Sequence, residues 1–449
     1  MNSYHVIIDD LMIRNMLQTN LEESLDLVTL KQILYFVFLG LLPSYIIYRV
    51  KIKESSLKSA IWTKIKVIIV TILILGANVF LFSKYYTSFV REHKPLRFSI
   101  NPTYWIFAIG KYTTLTLTSG ELIVKPIGLD AKVVKKEKNS YPKLVIMVVG
   151  EAARADHFSL NSYKRETNPL LEKENIINYS NVSSCGTSTA ESVPCMFSVY
   201  DRDDYSYKKG ISTQNVLDVL AHTGKIDILW RDNNSDSKGV ALRVPFVDYK
   251  SAKHNTLVVE GEARDIGMLV GLDKYVKEHK GRDILIILHQ MGNHGPAYYK
   301  RYTHEYEKFK PTCKTSQLEE CSQEEIANAY DNALLYTDNF LAQTINFLKR
   351  FDKTRATAMI YMSDHGESLG EKGLYLHGLP YFMAPDAQTH IGAIMWFGQK
   401  MRDILDMDMI NANKDKKYSQ DNLFHTLLGM FEVKTDVYDK KMDILHKTK

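Results

Sequence analysis

Residues 143–151 read KLVIMVVGE, an apolar run without alternation that ends on a glycine and a carboxylate. Apolar side chains at successive positions point to both faces of a strand, as in a parallel sheet covered on both sides. Four more runs share the pattern: DILW (227–230), DILIILHQ (283–290), TAMIYMSDH (357–365) and GAIMWF (392–397). Helical stretches lie between them. The clearest spans about 323–350, where Ile326, Tyr330, Leu334, Thr337, Leu341, Ile345 and Leu348 recur at spacings of three and four. Strands alternating with such helices predict an α/β fold from residue 141 onward, with a mainly parallel central sheet flanked by helices.

In open α/β sheets, chemistry gathers beyond the carboxyl ends of the strands. The first run delivers Glu151 to that edge, and the run at 357 delivers Asp364 and His365, with Glu367 just after. Carboxylate oxygens with an imidazole nitrogen suit zinc or a related divalent ion when one position stays open for substrate. HQMGNHG offers His289 and His294, and GLYLHG offers His377. For His289, packing at a strand end and a ligand role stand equally open. His294 and His377 are better placed to reach a substrate phosphate or a second metal.

The chain of 449 residues calls for a membrane or linker part beside one large globular domain. Its 57 basic and 52 acidic residues leave a mild net charge of +5, spread along the sequence. No nucleic-acid motif is visible, so no nucleic-acid partner is expected. Two charge-free runs stand near the N-terminus, ILYFVFLGLLPSYIIY (33–48) and VIIVTILILGANVFLF (67–82). Each falls a little short of the roughly 20 residues that span a bilayer, and flanking lysines and aromatics extend its reach. They predict membrane helices at about 33–49 and 66–83 within a membrane region 1–83, a partly helical linker at 84–140, and a catalytic domain at 141–449. Arg49, Lys51, Lys53, Lys58, Lys64 and Lys66 lie between the two runs, which assigns that stretch to the cytoplasm and the large domain to the far side.

All four cysteines fall in the outer part, as the close pairs Cys185/Cys195 and Cys313/Cys321. Neither pair has the short spacing of a structural zinc site, so two local disulfides in an oxidising compartment are expected.

Five segments together carry a resemblance: VVGEAARADHFSLNSYKRET, SNVSSCGTSTAESVPCMF, LWRDNNSDSKGV, LHQMGNHGPAYYKRY and YMSDHGESLGEKGLYLHG. They resemble the phosphoethanolamine transferases, and within them the lipid A-modifying branch that includes the mobile colistin-resistance enzymes. The match covers essentially all of 143–400. It implies an alkaline phosphatase/sulfatase-like domain, tethered by transmembrane helices in the bacterial inner membrane and facing the periplasm. The family's nucleophilic threonine falls on Thr189. Its zinc ligands fall on Glu151, Asp364 and His365, with the Thr189 oxygen as the fourth. One tight zinc site is implied, with a second left open. His294 and His377 match the histidines that meet the substrate phosphate, and Asn234, Lys238, Glu367 and, less closely, His289 are similar to substrate-pocket residues. Phosphatidylethanolamine as donor, lipid A as acceptor, polymyxin resistance and a monomeric state follow from the same resemblance.

The chain also departs from that family. Relatives usually carry a third disulfide in the segment matching 254–266, where this chain has no cysteine. They usually have more membrane helices than two, and the start of this chain resembles the periplasmic segment after the third, so an N-terminally shortened membrane region is expected. A sulfatase would need Cys or Ser within C/S-x-P-x-R, yet Pro194 is followed by Cys195, Met196 and Phe197. A phosphoglycerol transferase of related fold, a non-lipid A acceptor, and an inactive membrane-tethered relic are the alternatives. Within SSCGTSTAESVPCMF (183–197), Thr187 and Ser188 are expected to shape the turn and Ser192 to cap a following helix.

Overall fold

The run that opens at Lys143 is a strand, and its right parity and its left bury equally. The computed structural model describes residues 6–19, 24, 27–51, 56–83, 85–86, 89, 96, 98, 100–118, 123–134 and 140–446. Seven strands form the central sheet: β1 (Lys143–Gly150), β2 (Ile176–Tyr179), β3 (Ile226–Asp232), β4 (Phe246–Asp248), β5 (Asp283–His289), β6 (Ala356–Ser363) and β7 (Ala393–Phe397). Their spatial order is β2-β7-β6-β1-β5-β3-β4. The five strands from β6 to β4 are parallel, and β7 runs antiparallel to both of its neighbours. The sheet is therefore mixed, with the expected parallel centre. All five apolar runs are strands, and β2 and β4 add the two edges.

β1 explains why the sheet needs cover on both sides. Val145, Met147 and Val149 join one apolar layer with Val193, Leu217, Leu220, Phe424 and Leu427. Leu144, Ile146 and Val148 join the opposite layer with Tyr330, Leu334, Leu341 and Ile345. These second partners lie on one long helix, Gln323–Lys349, capped by a Ser322–Glu325 capping box. Each such side chain, fully buried, contributes about 1.5–3 kcal/mol.

Two apolar helices lie outside this unit. Leu30–Arg49 has 20 residues and Leu57–Leu81 has 25, and both are long and apolar enough to cross a membrane. At about 1.5 Å per residue they reach roughly 30 and 37 Å, against a hydrocarbon core of about 30 Å. The first contains a π-helical stretch, Phe36–Leu41, just before Pro43. Proline lacks an N–H and crowds the carbonyl four residues back, so the ladder widens there. The second begins nine residues before the expected position, because Lys, Ser, Ala and Trp in LKSAIWTKI do not break a helix.

By their contacts, 27–110 form one unit, and 1–26 with 111–449 form the other. The helix Asp10–Gln18, here α1, thus belongs with the large domain rather than with the membrane region 1–83 expected from sequence. Asp9 caps it through Met12 N at 2.8 Å. The physical reason is its buried Arg14, whose guanidinium lies 3.6 Å from the Tyr207 ring centre. The helix Thr103–Thr118 falls within the expected linker 84–140. Residues 135–139 and most of 84–99 lie outside the described residues.

Candidate metal centre and active site

Glu151 follows β1 directly, and Asp364 and His365 follow β6, its parallel neighbour, so the sheet register brings the three together. Thr189 comes from the other side, at the first position of the helix Thr189–Met196, here α2. His365 Nε2 lies 3.3 Å from Glu151 Oε1 and 3.4 Å from Asp364 Oδ2. Thr189 Oγ1 donates to Glu151 Oε2 at 3.1 Å and stands 3.4 Å from His365 Nε2. All four expected metal-site residues are therefore in one buried cluster.

The supports of this cluster are specific. His365 Nδ1 faces the Gly366 carbonyl at 2.8 Å, which fixes the ring and turns Nε2 toward the carboxylates. Asp364 Oδ1 accepts from the His365 and Ala152 amides at 2.7 and 3.1 Å. Asn234 Nδ2 donates to Glu151 Oε2 and to the Gln290 carbonyl, both at 2.8 Å. Gln420 donates through Nε2 to the carbonyls of Ser363 and Asp364 and accepts the Cys185 amide, tying the ligand strand to the threonine loop.

Glu151 Oε1 and Asp364 Oδ2 are buried and accept no hydrogen bond. Two such buried oxygens, facing His365 Nε2 at 3.3 and 3.4 Å, are unfavourable without a further cation to complete them. Two carboxylates, one imidazole and an adjacent hydroxyl, with ligand atoms of the first three within 4.8 Å of one another, fit a divalent metal. Electrostatics agree. Burial works against a charge on Glu151, yet the imidazole of His365 beside it holds the carboxyl well below the usual range. Burial, and then the Glu151 charge, pushes Asp364 up to about 6. Burial opposes a charge on His365, but Asp364 and Glu151 lift it to about 10.

A second group adjoins the first. His377 Nδ1 lies 2.9 Å from Glu367 Oε2, and Tyr298 donates to Glu367 Oε1 at 2.8 Å. The His377 ring centre is 4.2 Å from that of His365 and 6.1 Å from that of His294. His365, Glu367 and His377 also converge closely enough to share an ion. Lys238 Nζ donates to Ser235 Oγ and Ser235 O, both at 2.7 Å, and so reaches the loop that carries Asn234. His289 is fully buried at the end of β5 with Nδ1 2.8 Å from Asp232, inside the protein beneath the cluster.

The loop around Thr189 is closed by the Cys185–Cys195 disulfide, and Cys313–Cys321 is likewise joined. Thr187 Oγ1 donates to the Leu379 carbonyl at 2.6 Å and so ties its loop to the segment that follows His377. Ser192 does not cap a following helix, because it lies inside α2, which already starts at Thr189. α1 packs on α2. From α1, Gln18 O accepts from Lys238 Nζ at 3.4 Å, and a Cβ added at Gly378 would meet Met12 Cε at 3.2 Å. α1, Gln420, Tyr298 and Asp232 were not singled out by the sequence.

Comparison with known proteins fits this geometry. A sulfatase family model matches residues 143–433, and the phosphoethanolamine transferase EptA/EptB model matches residues 1–117. The phosphatidylethanolamine transferase Mcr-1 of Escherichia coli is 43% identical over 97% of this chain and 81% of its own length. The chain belongs to the phosphoethanolamine transferase family. A further member, phosphoethanolamine transferase EptA of Escherichia coli strain K12, is 39% identical over 99% of this chain and 81% of its own. Among solved structures of the family, the integral membrane lipooligosaccharide phosphoethanolamine transferase A of Neisseria meningitidis superposes with a TM-score of 0.92. It is 35% identical and covers 99% of this chain and 83% of that one.

Proposed function

We propose that this transferase moves phosphoethanolamine from phosphatidylethanolamine to a phosphate of lipid A, with Thr189 as nucleophile, and thereby confers polymyxin and colistin resistance. The observation that carries this is the placing of Thr189 Oγ1 against Glu151 and His365 in a cage where Glu151 Oε1 and Asp364 Oδ2 accept no hydrogen bond. Glu151, Asp364 and His365 would hold zinc, with Thr189 Oγ1 beside it. A bound zinc ion supplies Lewis acidity, which lowers the pKa of an adjacent hydroxyl and offsets charge on a phosphoryl oxygen.

In the first half, Thr189 Oγ1 forms a bond to phosphorus while the bond from phosphorus to the diacylglycerol oxygen breaks. The proton lost by Thr189 is balanced by one taken up by the departing oxygen. In the second half, an oxygen of the acceptor phosphate forms the new bond to phosphorus while the bond from phosphorus to Thr189 Oγ1 breaks, and Thr189 recovers its hydroxyl with the proton the acceptor gives up. His377, with Nδ1 on Glu367, keeps Nε2 for a phosphoryl oxygen; the His294 ring lies beside it, and Lys238 adds positive charge. Asn234 steadies Glu151, and the disulfide ring limits the drift of Thr189, which suits an in-line displacement. His289 acts from below, through Asp232. The two apolar helices tether the protein in the inner membrane, 84–140 connect them to the catalytic domain, and that domain works as a monomer in the periplasm.

Covalent catalysis of this kind predicts a phosphoethanolamine ester on Thr189. Intact-protein mass spectrometry after incubation with phosphatidylethanolamine should show the adduct in the wild type and none in Thr189→Ala. An undiminished adduct in Thr189→Ala would refute the assignment. An adduct formed from phosphatidylglycerol instead would replace the donor by a phosphoglycerol lipid.

A further inference from the structure

Immediately after Glu151 the backbone enters a conformation that a residue with a Cβ rarely adopts: Ala152 has φ 54°. The turn has a purpose. It aims the Ala152 amide at Asp364 Oδ1, 3.1 Å away, and the Ala153 amide at Ser363 Oγ, 2.8 Å away. Asp364 is therefore held by the amide of one strained residue, which Glu151 directly precedes in the chain, and strain of this kind persists only where surrounding groups enforce it.

The enforcing group is a side chain on the long helix Gln323–Lys349. Tyr330 OH donates to the Ala152 carbonyl at 2.6 Å and accepts from the Arg154 amide at 2.9 Å, clasping the turn from both sides. The same residue reaches Glu151 by a second route. Asn293 Nδ2 donates to the Tyr330 carbonyl at 3.2 Å, and the Asn293 amide donates to the Glu151 carbonyl at 3.1 Å. The Tyr330 ring is itself fixed, edge-on to His157 and to Tyr298 at 5.3 and 5.6 Å between centres. Its exposure is 0%.

We propose that Tyr330 is a positioning residue for the metal site, setting the aim of Glu151 and Asp364 by clamping the left-handed turn at Ala152. It meets only the backbone around the ligands, so it acts on metal affinity through geometry. The inference rests on the reading that Glu151, Asp364 and His365 hold zinc. Removing an outer partner of a metal ligand typically weakens binding about 10- to 100-fold. A core role alone would lower thermal stability and leave zinc affinity where it was.

The test is zinc affinity of the full chain in detergent, by competition with a chromophoric chelator at fixed pH. Tyr330→Phe, which removes only the hydroxyl, should bind zinc at least about tenfold more weakly. Tyr330→Phe combined with Ala152→Gly should recover most of the loss, because glycine adopts positive φ without steric cost. Should Tyr330→Phe fail to fold, the Ala152→Gly combination in that background is the variant compared with the wild type. Unchanged affinity in Tyr330→Phe, or no recovery with Ala152→Gly, would overturn the inference while leaving the zinc site standing. A wild type that retains no zinc would instead overturn the reading of the site, and this inference with it.

Discussion

Zinc held as proposed would compete with a proton at this site, and the structure sets the terms. In the metal-free cluster His365 is lifted to about 10 by Asp364 and Glu151 against its burial, while Asp364 is pushed to about 6 by burial and by Glu151. Glu151 stays ionised. Between those limits the cluster carries one proton, on His365, and its Nε2 lone pair is occupied until that proton leaves. Each pH unit below about 10 then weakens zinc binding by about 1.4 kcal/mol, a factor of ten. Lowering the pH from about 8 to about 7 should raise the apparent Kd about tenfold. Below about 6 Asp364 is protonated as well, and the dependence should steepen toward about a hundredfold per unit. Calorimetric titration of the metal-free full chain, in two buffers of different ionisation heat, counts the protons released. About one proton per zinc should leave near neutral pH. Release of none, with a Kd that does not move between about pH 7 and 9, would show that His365 is not the protonated partner and refute the reasoning.

Two further outcomes are expected elsewhere. A Cβ at Gly366 would lie 2.1 Å from the Ala387 carbonyl oxygen and 3.2 Å from Gln388 Cα, backbone that cannot swing aside. Gly366→Ala should cost about 1–3 kcal/mol and displace His365, lowering both the thermal midpoint and zinc retention; an unchanged midpoint would count against it. Asp338, buried on the long helix, is pushed up to about 7 by burial, against the hydrogen bonds it accepts from the Leu170 and Leu171 amides. Its folded pKa lies above the unfolded value of about 3.9, so the folded state holds the extra proton. Stability should therefore fall as pH rises from about 4 to about 7, by up to about 1.4 kcal/mol per unit, and flatten above. Asp338→Asn should remove that slope from thermal midpoints measured across the range, and parallel curves for the two proteins would refute it.

Strands buried on both faces announce themselves, which is why β1, β3, β5, β6 and β7 were legible as apolar runs. The edge strands IINY and FVD were not, because each is short, the first mixes buried and partly exposed positions, and the second is mostly exposed. Glu151, Asp364 and His365 were legible because parallel strands end on one side of a sheet, so residues just past two of them must meet. Thr189 emerged from the family resemblance, since six hydroxyl residues share its loop and none is marked by spacing. The outer supports gave no sign. Tyr330 has the helical spacing of a core residue, which it also is, and its hydroxyl's partners lie far away in sequence. Gln420 is separated from Asp364 and Cys185 by long stretches of chain, and a lone glutamine carries no periodic signal. α1 has nine residues, too few for a convincing pattern, and its burial depends on partners that only the tertiary fold supplies.

The contact between α1 and α2 also constrains the order of assembly. Synthesis is vectorial, so α1 is made before the apolar helices and well before α2, with which it must pack. Through that interval α1 lacks the surface that buries Arg14, because Tyr207 and α2 come later in the chain. Closing so long a loop adds little entropic cost over a shorter one, so the delay lies in timing rather than in equilibrium. The sheet can form and Thr189 can reach its cage while this flank is still open. A chain halted at that stage would own its ligands and lack the wall against which Lys238 and the His377 loop rest.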